Sequence, residues 1–450
     1  MCVPYDVEDM PGKYHLITFG CQMNKNDSER IAGLLSSLGL ESTDKVEDTD
    51  VIVVNTCSVR QSAEDRVYGH VRNWQKLRAN KPNLIIVITG CMPGRDKDGK
   101  LRNNIKGVDL FFGIDELSLL PERLRGLNYS LLAREGDRGG SDYLSITPTR
   151  TNSSQVFVTI QTGCDNFCTY CVVPHARGRE KNRQVKDILK EIRDAIKEGA
   201  KEATLLGQVV NNYKAPDPES FKGGKTNDSF AELLWEINQI EGLDRLHWTA
   251  ADPQYFSEAQ IQALTLPKQV NYLHLPVQSG DNEILRKMNR KYTCEQYINL
   301  VKNIRAAKPD IAIGTDIIVG FCGETEEQFE NTMDLYRQCD FDISYQAMYS
   351  ERSGTAAARA FKDDVTHAEK KRRWEAVQEL MEEITYRKNQ AYVGKVVFVL
   401  VERCENGVCS GNSREMKRVQ FLGDKSMVGQ IVDVEIARAD VWVLEGRGGF

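Results

Sequence analysis

No stretch of this sequence approaches the ~20 consecutive apolar residues of a bilayer-spanning helix, which excludes a transmembrane span. The opening MCVPYDVEDMPGK lacks the basic start and apolar block of a secretion signal, so a cytoplasmic location is expected. Strong net charge is missing too. A value of -6 over 450 residues argues against indiscriminate coating of nucleic acid, and leaves room for a local surface that binds one RNA. Solenoid-type repeats and low-complexity tracts are absent. One absence is more pointed. The stretch QTGCDNFCTYCVVPHARGRE (161–180) supplies Cys164, Cys168 and Cys171 at C-x3-C-x2-C spacing. It then moves on without the fourth ligand that a tetrahedral metal or an iron–sulfur cubane normally takes from protein.

What is present is a globular composition, 41% hydrophobic and 28% charged, in a chain long enough for two or three domains. Twelve cysteines without export features read as metal ligands or redox groups wherever they cluster, because the cytosol keeps thiols reduced.

Residues 12–130 alternate strand and helix. YHLITFG (14–20), DVIVVNT (50–56) and NLIIVITG (83–90) are apolar runs. Between them lie a helical NDSERIAGLLSSLG, with Asp27 or Ser28 as its cap, and the amphipathic SAEDRVYGHVRNWQKLRA. This β-α-β-α-β order predicts a doubly wound parallel sheet. Cys21, Cys57 and Cys91 each stand just beyond the C-terminal end of one of these strands. Parallel strands bring those ends to one edge, where open α/β sheets bind ligands. A single buried cysteine is an ordinary core residue. Three at equivalent points of successive β-α units predict a three-thiolate site.

Residues 131–152 have linker composition. Over 153–386 the candidate strands VFVTIQ, EATLLGQ, RLHWTA, YLHLPVQ, IAIGTDIIVG and FDISYQAMY alternate with helical patterns. They predict a partial or full TIM-like (β/α) barrel with its site at the strand C-terminal ends. The three-cysteine loop follows the first strand. From 387 to 450, β-rich segments separated by glycine turns predict a small antiparallel β-barrel. Its charges balance, so charge alone does not make it an RNA binder.

A tight loop can present three thiolates to one face of a [4Fe–4S] cluster and leave one iron as an open Lewis-acid position. Zinc is the competing reading. It prefers two C-x2-4-C pairs, and no second pair follows, although His175 is near enough in sequence to serve as a fourth ligand.

The C-x3-C-x2-C spacing, with the aromatic Tyr170 before its last cysteine, resembles the signature of the radical S-adenosylmethionine (SAM) superfamily. The resemblance implies SAM chelated at the open iron and cleaved to a 5′-deoxyadenosyl radical. Adding the second triad, the central barrel and a C-terminal barrel similar to the TRAM domain, the chain from about Gly12 to about Leu444 resembles the methylthiotransferase family. TFGCQMN, NTCSVR, TGCM, FCTYCVVPHARGRE, LHLPVQSG and GTDIIVGF are most similar to its tRNA-2-methylthio-isopentenyladenosine synthase branch. CQMN and CSVR separate that branch from those that modify threonylcarbamoyl-adenosine or a ribosomal-protein aspartate.

The resemblance implies two [4Fe–4S] clusters, on Cys21, Cys57 and Cys91 and on Cys164, Cys168 and Cys171, with two SAM consumed per turnover. The product is a methylthio group at C2 of isopentenyladenosine 37, beside the anticodon. The implied partners are a tRNA anticodon stem-loop, a reductant such as flavodoxin or ferredoxin, and a sulfur donor or cluster-repair protein. A monomer is expected. Chemistry is assigned to clusters and SAM, with no catalytic side chain. Carried over as SAM contacts are Tyr170, Gly207, Gln208, Gln278, Ser279 and Ile318; simple loop hydrogen bonding is the alternative for the polar ones. Arg177, Arg179 and Arg183 suit phosphates or the SAM carboxylate, with ordinary surface charge as the alternative. Val209 and Cys322 depart from the usual Asn and Pro of the branch, away from any cluster ligand. From another functional class, a non-catalytic iron–sulfur protein that binds RNA fits the same cysteines.

Overall fold

The runs VIVVNT and IIVITG are buried at every position, as central parallel strands covered on both faces must be. The computed structural model describes residues 12–58, 61–127, 142–150 and 154–448. It divides into two compact units, one of residues 1–151, 162–165 and 172–180, the other of 152–161, 166–171 and 181–450.

The first unit contains β1 (Lys13–Phe19), α1 (Gln22–Ser37), β2 (Glu41–Ser42), β3 (Val51–Thr56), α2 (Gln61–Arg78), β4 (Ile85–Gly90), α3 (Cys91–Arg95), α4 (Lys100–Asn104), β5 (Leu110–Phe112) and α5 (Leu120–Gly126). Its five strands form one parallel sheet in the order β2-β1-β3-β4-β5. Val51, Val53 and Val87 bury against Ile31 and Leu35 on one face, and Ile52, Val54 and Ile88 against Val67 and Trp74 on the other. Each such side chain contributes roughly 1.5–3 kcal/mol.

One expectation is corrected here. Helix α1 begins at Gln22 with Cys21 as N-cap, so neither Asp27 nor Ser28 is the cap. The Asn24 side chain closes the first turn by accepting from the Cys21 N–H at 3.3 Å, which lets the helix start right at the strand end. The linker expected over 131–152 lies largely outside the described residues. Its described part is anchored: Tyr143 and Leu144 are buried in the core, and buried Arg30 donates to the carbonyls of Leu144 and Ile146.

From residue 155 the chain runs β6 (Gln155–Thr159), β7 (Gln161–Thr162), α6 (Val173–Arg177), β8 (Lys181–Asn182), α7 (Val185–Lys197), β9 (Glu202–Leu206), α8 (Ser229–Asn238), β10 (Arg245–Trp248), α9 (Glu258–Ala263), β11 (Tyr272–His274), α10 (Asn282–Lys287), α11 (Cys294–Ala307), β12 (Ala312–Val319), α12 (Glu326–Cys339), β13 (Ile343–Met348), α13 (Ala356–Ala360) and α14 (His367–Gln390). In the second unit, β6-β9-β10 and β11-β12-β13 are two parallel sheets joined where Leu246 pairs with Gln269. This is a six-stranded partial barrel. Helix α7 shows why the covering helices form: Val185, Ile188, Leu189, Ile192 and Ala195 recur at helical spacing and are all buried.

β14 (Val396–Glu405), β15 (Val408–Asn412), β16 (Arg418–Leu422), β17 (Ile431–Ala439) and β18 (Leu444–Arg447) close into the small C-terminal barrel. Its β16–β18 pair is parallel, a departure from the all-antiparallel expectation that closure requires. No described helix is long and apolar enough to cross a membrane.

His247 on β10 is wholly buried, which pushes its pKa down to about 4, and neither ring nitrogen has a hydrogen-bond partner among the described residues. An unfolded histidine protonates near pH 6.5. Between these values the unfolded chain therefore binds more protons than the folded one, and stability rises with pH. Relative to a His247→Leu variant, the wild type is expected to lose about 3 kcal/mol as pH falls from 6.5 to 4. Chemical unfolding of both proteins at several pH values checks this; parallel pH profiles would refute it.

Candidate functional site

Cys57 and Cys91 stand directly after β3 and β4, and Cys21 follows the end of β1 after the single residue Gly20. Two glycines let those strand ends approach. A Cβ on Gly20 would lie 2.2 Å from Asn24 Oδ1 and 2.9 Å from Cys57 Cβ. A Cβ on Gly90, whose φ is +103°, would lie 2.5 Å from Asn55 Oδ1 and 2.6 Å from the Thr56 carbonyl oxygen. Asn24 and Asn55 complete the brace: Asn24 donates to Asn55 Oδ1 at 3.1 Å, and Asn55 donates to the Asn24 carbonyl at 2.8 Å. Gly90→Ala is expected to cost about 2–4 kcal/mol, since it strains the backbone and meets main chain. Thermal unfolding of the cluster-free protein measures it, with an unchanged midpoint as the contrary result.

The thiols of this triad feel one another. Burial pushes the Cys91 thiol up to about 11; the nearby Arg177 guanidinium opposes the rise, and Cys57 and Cys21 add to it. Arg177, at the end of α6, donates from Nε to Cys91 Sγ at 3.3 Å and from Nη2 to Asp27 at 2.5 Å. Both side chains of that ion pair are almost wholly buried. Its Nη1 is buried too, without a hydrogen-bond partner among the described residues. Glu64 on α2 fixes the adjoining loops, accepting from Ser58 and pairing with Arg95 of α3 at 2.8 Å.

The second triad sits in the loop after β6. Cys164 donates its N–H to the Gly178 carbonyl at 3.2 Å within the first unit. In the second unit, residues 166–171 are pinned at several points. Asn166 donates to Asp252 at 2.9 Å and accepts from the Tyr255 hydroxyl at 2.8 Å. Asn289 donates to the carbonyls of Asn166 and Phe167, holding Phe167 at φ +50°. Thr169 donates its N–H to the Met288 carbonyl and accepts from the Ala357 N–H. Arg290 donates to Cys168 Sγ at 3.3 Å and pairs with buried Asp252 at 3.1 Å.

The carried-over SAM contacts fall out unevenly. Tyr170 and Ile318 pack against one apolar cluster with Phe321 and Tyr349. Burial raises the Tyr170 hydroxyl well above its ordinary pKa. Gly207 follows β9, where a Cβ would lie 3.3 Å from Gln161 Cβ, and Gln208 is partly exposed in the bend beyond. Gln278 has a left-handed backbone, φ +71°, and exchanges backbone hydrogen bonds with Asp316 and Ile318. The buried Ser279 hydroxyl faces Thr332 at 3.5 Å and accepts from the Asp281 N–H, which is loop bracing. Arg179 and Arg183 pair with Asp165 and Glu191.

Sequence reasoning missed the two buried arginine–aspartate pairs. It also missed a chain from the Tyr272 hydroxyl through His274, 3.1 Å away, to Asp316 at 3.2 Å. Arg177, whose guanidinium suits a phosphate, the SAM carboxylate or ordinary surface charge, is buried against Asp27 and Cys91. No local pattern signals these pairs, whose partners lie far apart in sequence.

Both donor sets are made of cysteine thiols, the ligand type that holds iron–sulfur clusters. Among the described residues no three His, Cys, Asp or Glu side chains gather closely enough to hold one metal ion. A cubane spreads its thiolates over separate irons and needs no such convergence. Each triad also has a buried guanidinium aimed at sulfur, and the unpartnered Nη1 of Arg177 suits an anionic group beside Cys91.

Residues 13–113 match uncharacterized protein family UPF0004, and residues 158–336 match the radical SAM superfamily. A solved structure of the radical SAM methyltransferase TsrM from Kitasatospora setae, with cobalamin and a [4Fe-4S] cluster bound, shares the fold at a TM-score of 0.55 and 13% identity. It covers 89% of this chain and 77% of that one. Fold and cysteine loop together define a radical SAM enzyme, working with SAM and [4Fe–4S] chemistry. The tRNA-2-methylthio-N(6)-dimethylallyladenosine synthase of Acetivibrio thermocellus is 41% identical over 440 residues, covering 96% of this chain and 90% of the relative. The protein of that name from Thermoanaerobacter sp. is 40% identical over 450 residues, covering 98% and 94%. The chain belongs to this family of tRNA methylthiotransferases.

Proposed function

We propose that the protein places a methylthio group on C2 of isopentenyladenosine 37 in tRNA, with Cys164, Cys168 and Cys171 holding the SAM-binding cluster and Cys21, Cys57 and Cys91 an auxiliary one. The observation that carries this reading is a second thiol triad assembled at the strand ends of the UPF0004 segment, separate from the radical SAM motif. When bound, the clusters and two SAM supply a carbon-centred radical able to take hydrogen from an adenine carbon, together with the sulfur and methyl group to be inserted. The chain's own residues bind and orient. Asp252, Asn289 and Thr169 keep the cysteine loop in one shape. Tyr170 and Ile318 offer an apolar surface suited to the SAM adenine.

The tRNA is bound through an unpaired anticodon-loop base turned toward the strand ends. The C-terminal barrel acts as a TRAM-like RNA-binding domain; the exposed rings of Phe398 and Trp442 support stacking on bases where balanced charge gives little attraction. An electron donor such as flavodoxin or ferredoxin and a sulfur source complete the cycle. Three working parts, 12–130, 153–386 and 387–450, follow from this division of labour. Mass spectrometry of tRNA nucleosides from a strain lacking the protein tests the reading. Loss of 2-methylthio-isopentenyladenosine with accumulation of isopentenyladenosine is expected, and an unchanged nucleoside profile would overturn it. Two cubanes further require about eight iron and eight sulfide per chain in the reconstituted protein.

A further inference from the structure

We propose that each cysteine triad has its own buried arginine, Arg177 for Cys91 and Arg290 for Cys168, acting as a positioning residue that sets the reduction potential of its cluster through an N–H···S hydrogen bond. The inference rests on the cluster assignment above and deepens it.

The two sites are built alike from unrelated elements. Arg177, at the end of α6, reaches Cys91 Sγ at 3.3 Å while Asp27 of α1 holds its other edge at 2.5 Å. Arg290, beyond α10, reaches Cys168 Sγ at 3.3 Å while Asp252 holds it at 3.1 Å; its Nε donates to the Tyr292 hydroxyl at 3.2 Å. The Arg177–Asp27 side chains are 3% and 0% exposed, and the Arg290–Asp252 side chains 8% and 4%. Burying an ion pair is costly, and a neutral cysteine gives no compensation for it. A thiolate carrying part of a cluster's negative charge does, because a charge-assisted donor then faces each anion.

The planar guanidinium matters here. Its fork faces a carboxylate and a sulfur at once, at fixed angles, whereas a lysine ammonium is a single point charge. Such outer partners orient metal ligands, and hydrogen bonds to sulfur help set iron–sulfur potentials. A donor at the sulfur favours the more negative, reduced cluster, so the potential rises. Among the described residues each arginine donates to one triad, Arg177 to Cys91 and Arg290 to Cys168, so the two potentials are set separately.

The test uses the full-length protein, reconstituted anaerobically, with redox titration followed by electron paramagnetic resonance. Arg177→Met is expected to lower the potential of the auxiliary cluster alone and to speed its iron loss to a chelator by about tenfold. Arg290→Met is expected to do the same to the SAM-binding cluster alone. Where a methionine variant does not fold, the corresponding Arg→Lys variant carries the same expectation, since it retains the charge without the fork. Unchanged potentials in folded variants, or equal shifts of both clusters by either substitution, would overturn the proposal. In the wild type, arginine labelled with 15N should show nitrogen coupling to both reduced clusters in pulsed resonance spectra; no coupling would also overturn it. An iron count near four in the wild type would instead remove the two-cluster reading itself, and the auxiliary half of the inference with it.

Discussion

Cys57→Ala is expected to abolish methylthiolation of tRNA while SAM cleavage to 5′-deoxyadenosine continues. Cys57 is the first residue after β3, and its N–H is anchored on the Phe19 carbonyl at 2.7 Å. That places it at the junction where β1, β3 and β4 end and contributes one of the two thiols felt by Cys91. Under the proposed assignment, an alanine there removes one ligand of the auxiliary triad and no ligand of the loop 164–171. Because the loop takes its shape from Asp252, Asn289 and Met288, its assembly does not depend on Cys57. Substitutions at separate sites act independently to a good approximation. Side-by-side assays of 5′-deoxyadenosine and modified nucleoside, with iron counts falling by about half, read the outcome. Complete loss of SAM cleavage in a folded variant would mean that the triads are not separate sites.

The second large effect is on stability. Arg245→Met is expected to destabilise the second unit by about 3–5 kcal/mol, because it leaves Glu202 as an uncompensated buried charge. The two side chains are 2% and 1% exposed and lie 2.9 Å apart on adjacent strands β10 and β9. Arg245 also donates to the carbonyls of Asn412 and Ser413 at 2.9 and 2.8 Å, tying the C-terminal barrel to the partial barrel. Those carbonyls lose their donors along with the carboxylate. Glu202 keeps its contacts from Gln155 and Thr204, which are too weak to balance a full charge in this setting. Chemical unfolding followed through the fluorescence of buried Trp248, on the same strand, measures the loss. The double variant Arg245→Met with Glu202→Gln should recover part of it. A single-variant loss under about 1 kcal/mol would show that the pair contributes little.

Much of the frame was legible before any coordinates. VIVVNT and IIVITG announce central parallel strands because a strand buried on both faces needs apolar residues at every position, and few other settings do. The six barrel strands were legible from their alternation with amphipathic helices such as 185–197. Short or exposed elements were not. β2 spans two exposed residues and β5 only three, too few for any periodicity to register. The start of α1 was misplaced because a cysteine is a poor cap by type, and Asn24 supplies the missing acceptor only once the turn has formed. Among the carried-over strand-end residues, Tyr170 and Ile318 share a cluster, whereas Ser279 turned inward to brace its loop.

The sequence by itself determined the cysteine positions: three within one loop, and three more at equivalent ends of successive β-α units. Those placements follow from chain connectivity and strand direction, which are local properties. Only the tertiary structure decided what surrounds the sulfurs. Arg177 meets Cys91 from 86 residues away and Asp27 from 150, and Arg290 meets Cys168 from 122. A buried charge finds its partners through packing, and packing between distant segments leaves no periodicity to read.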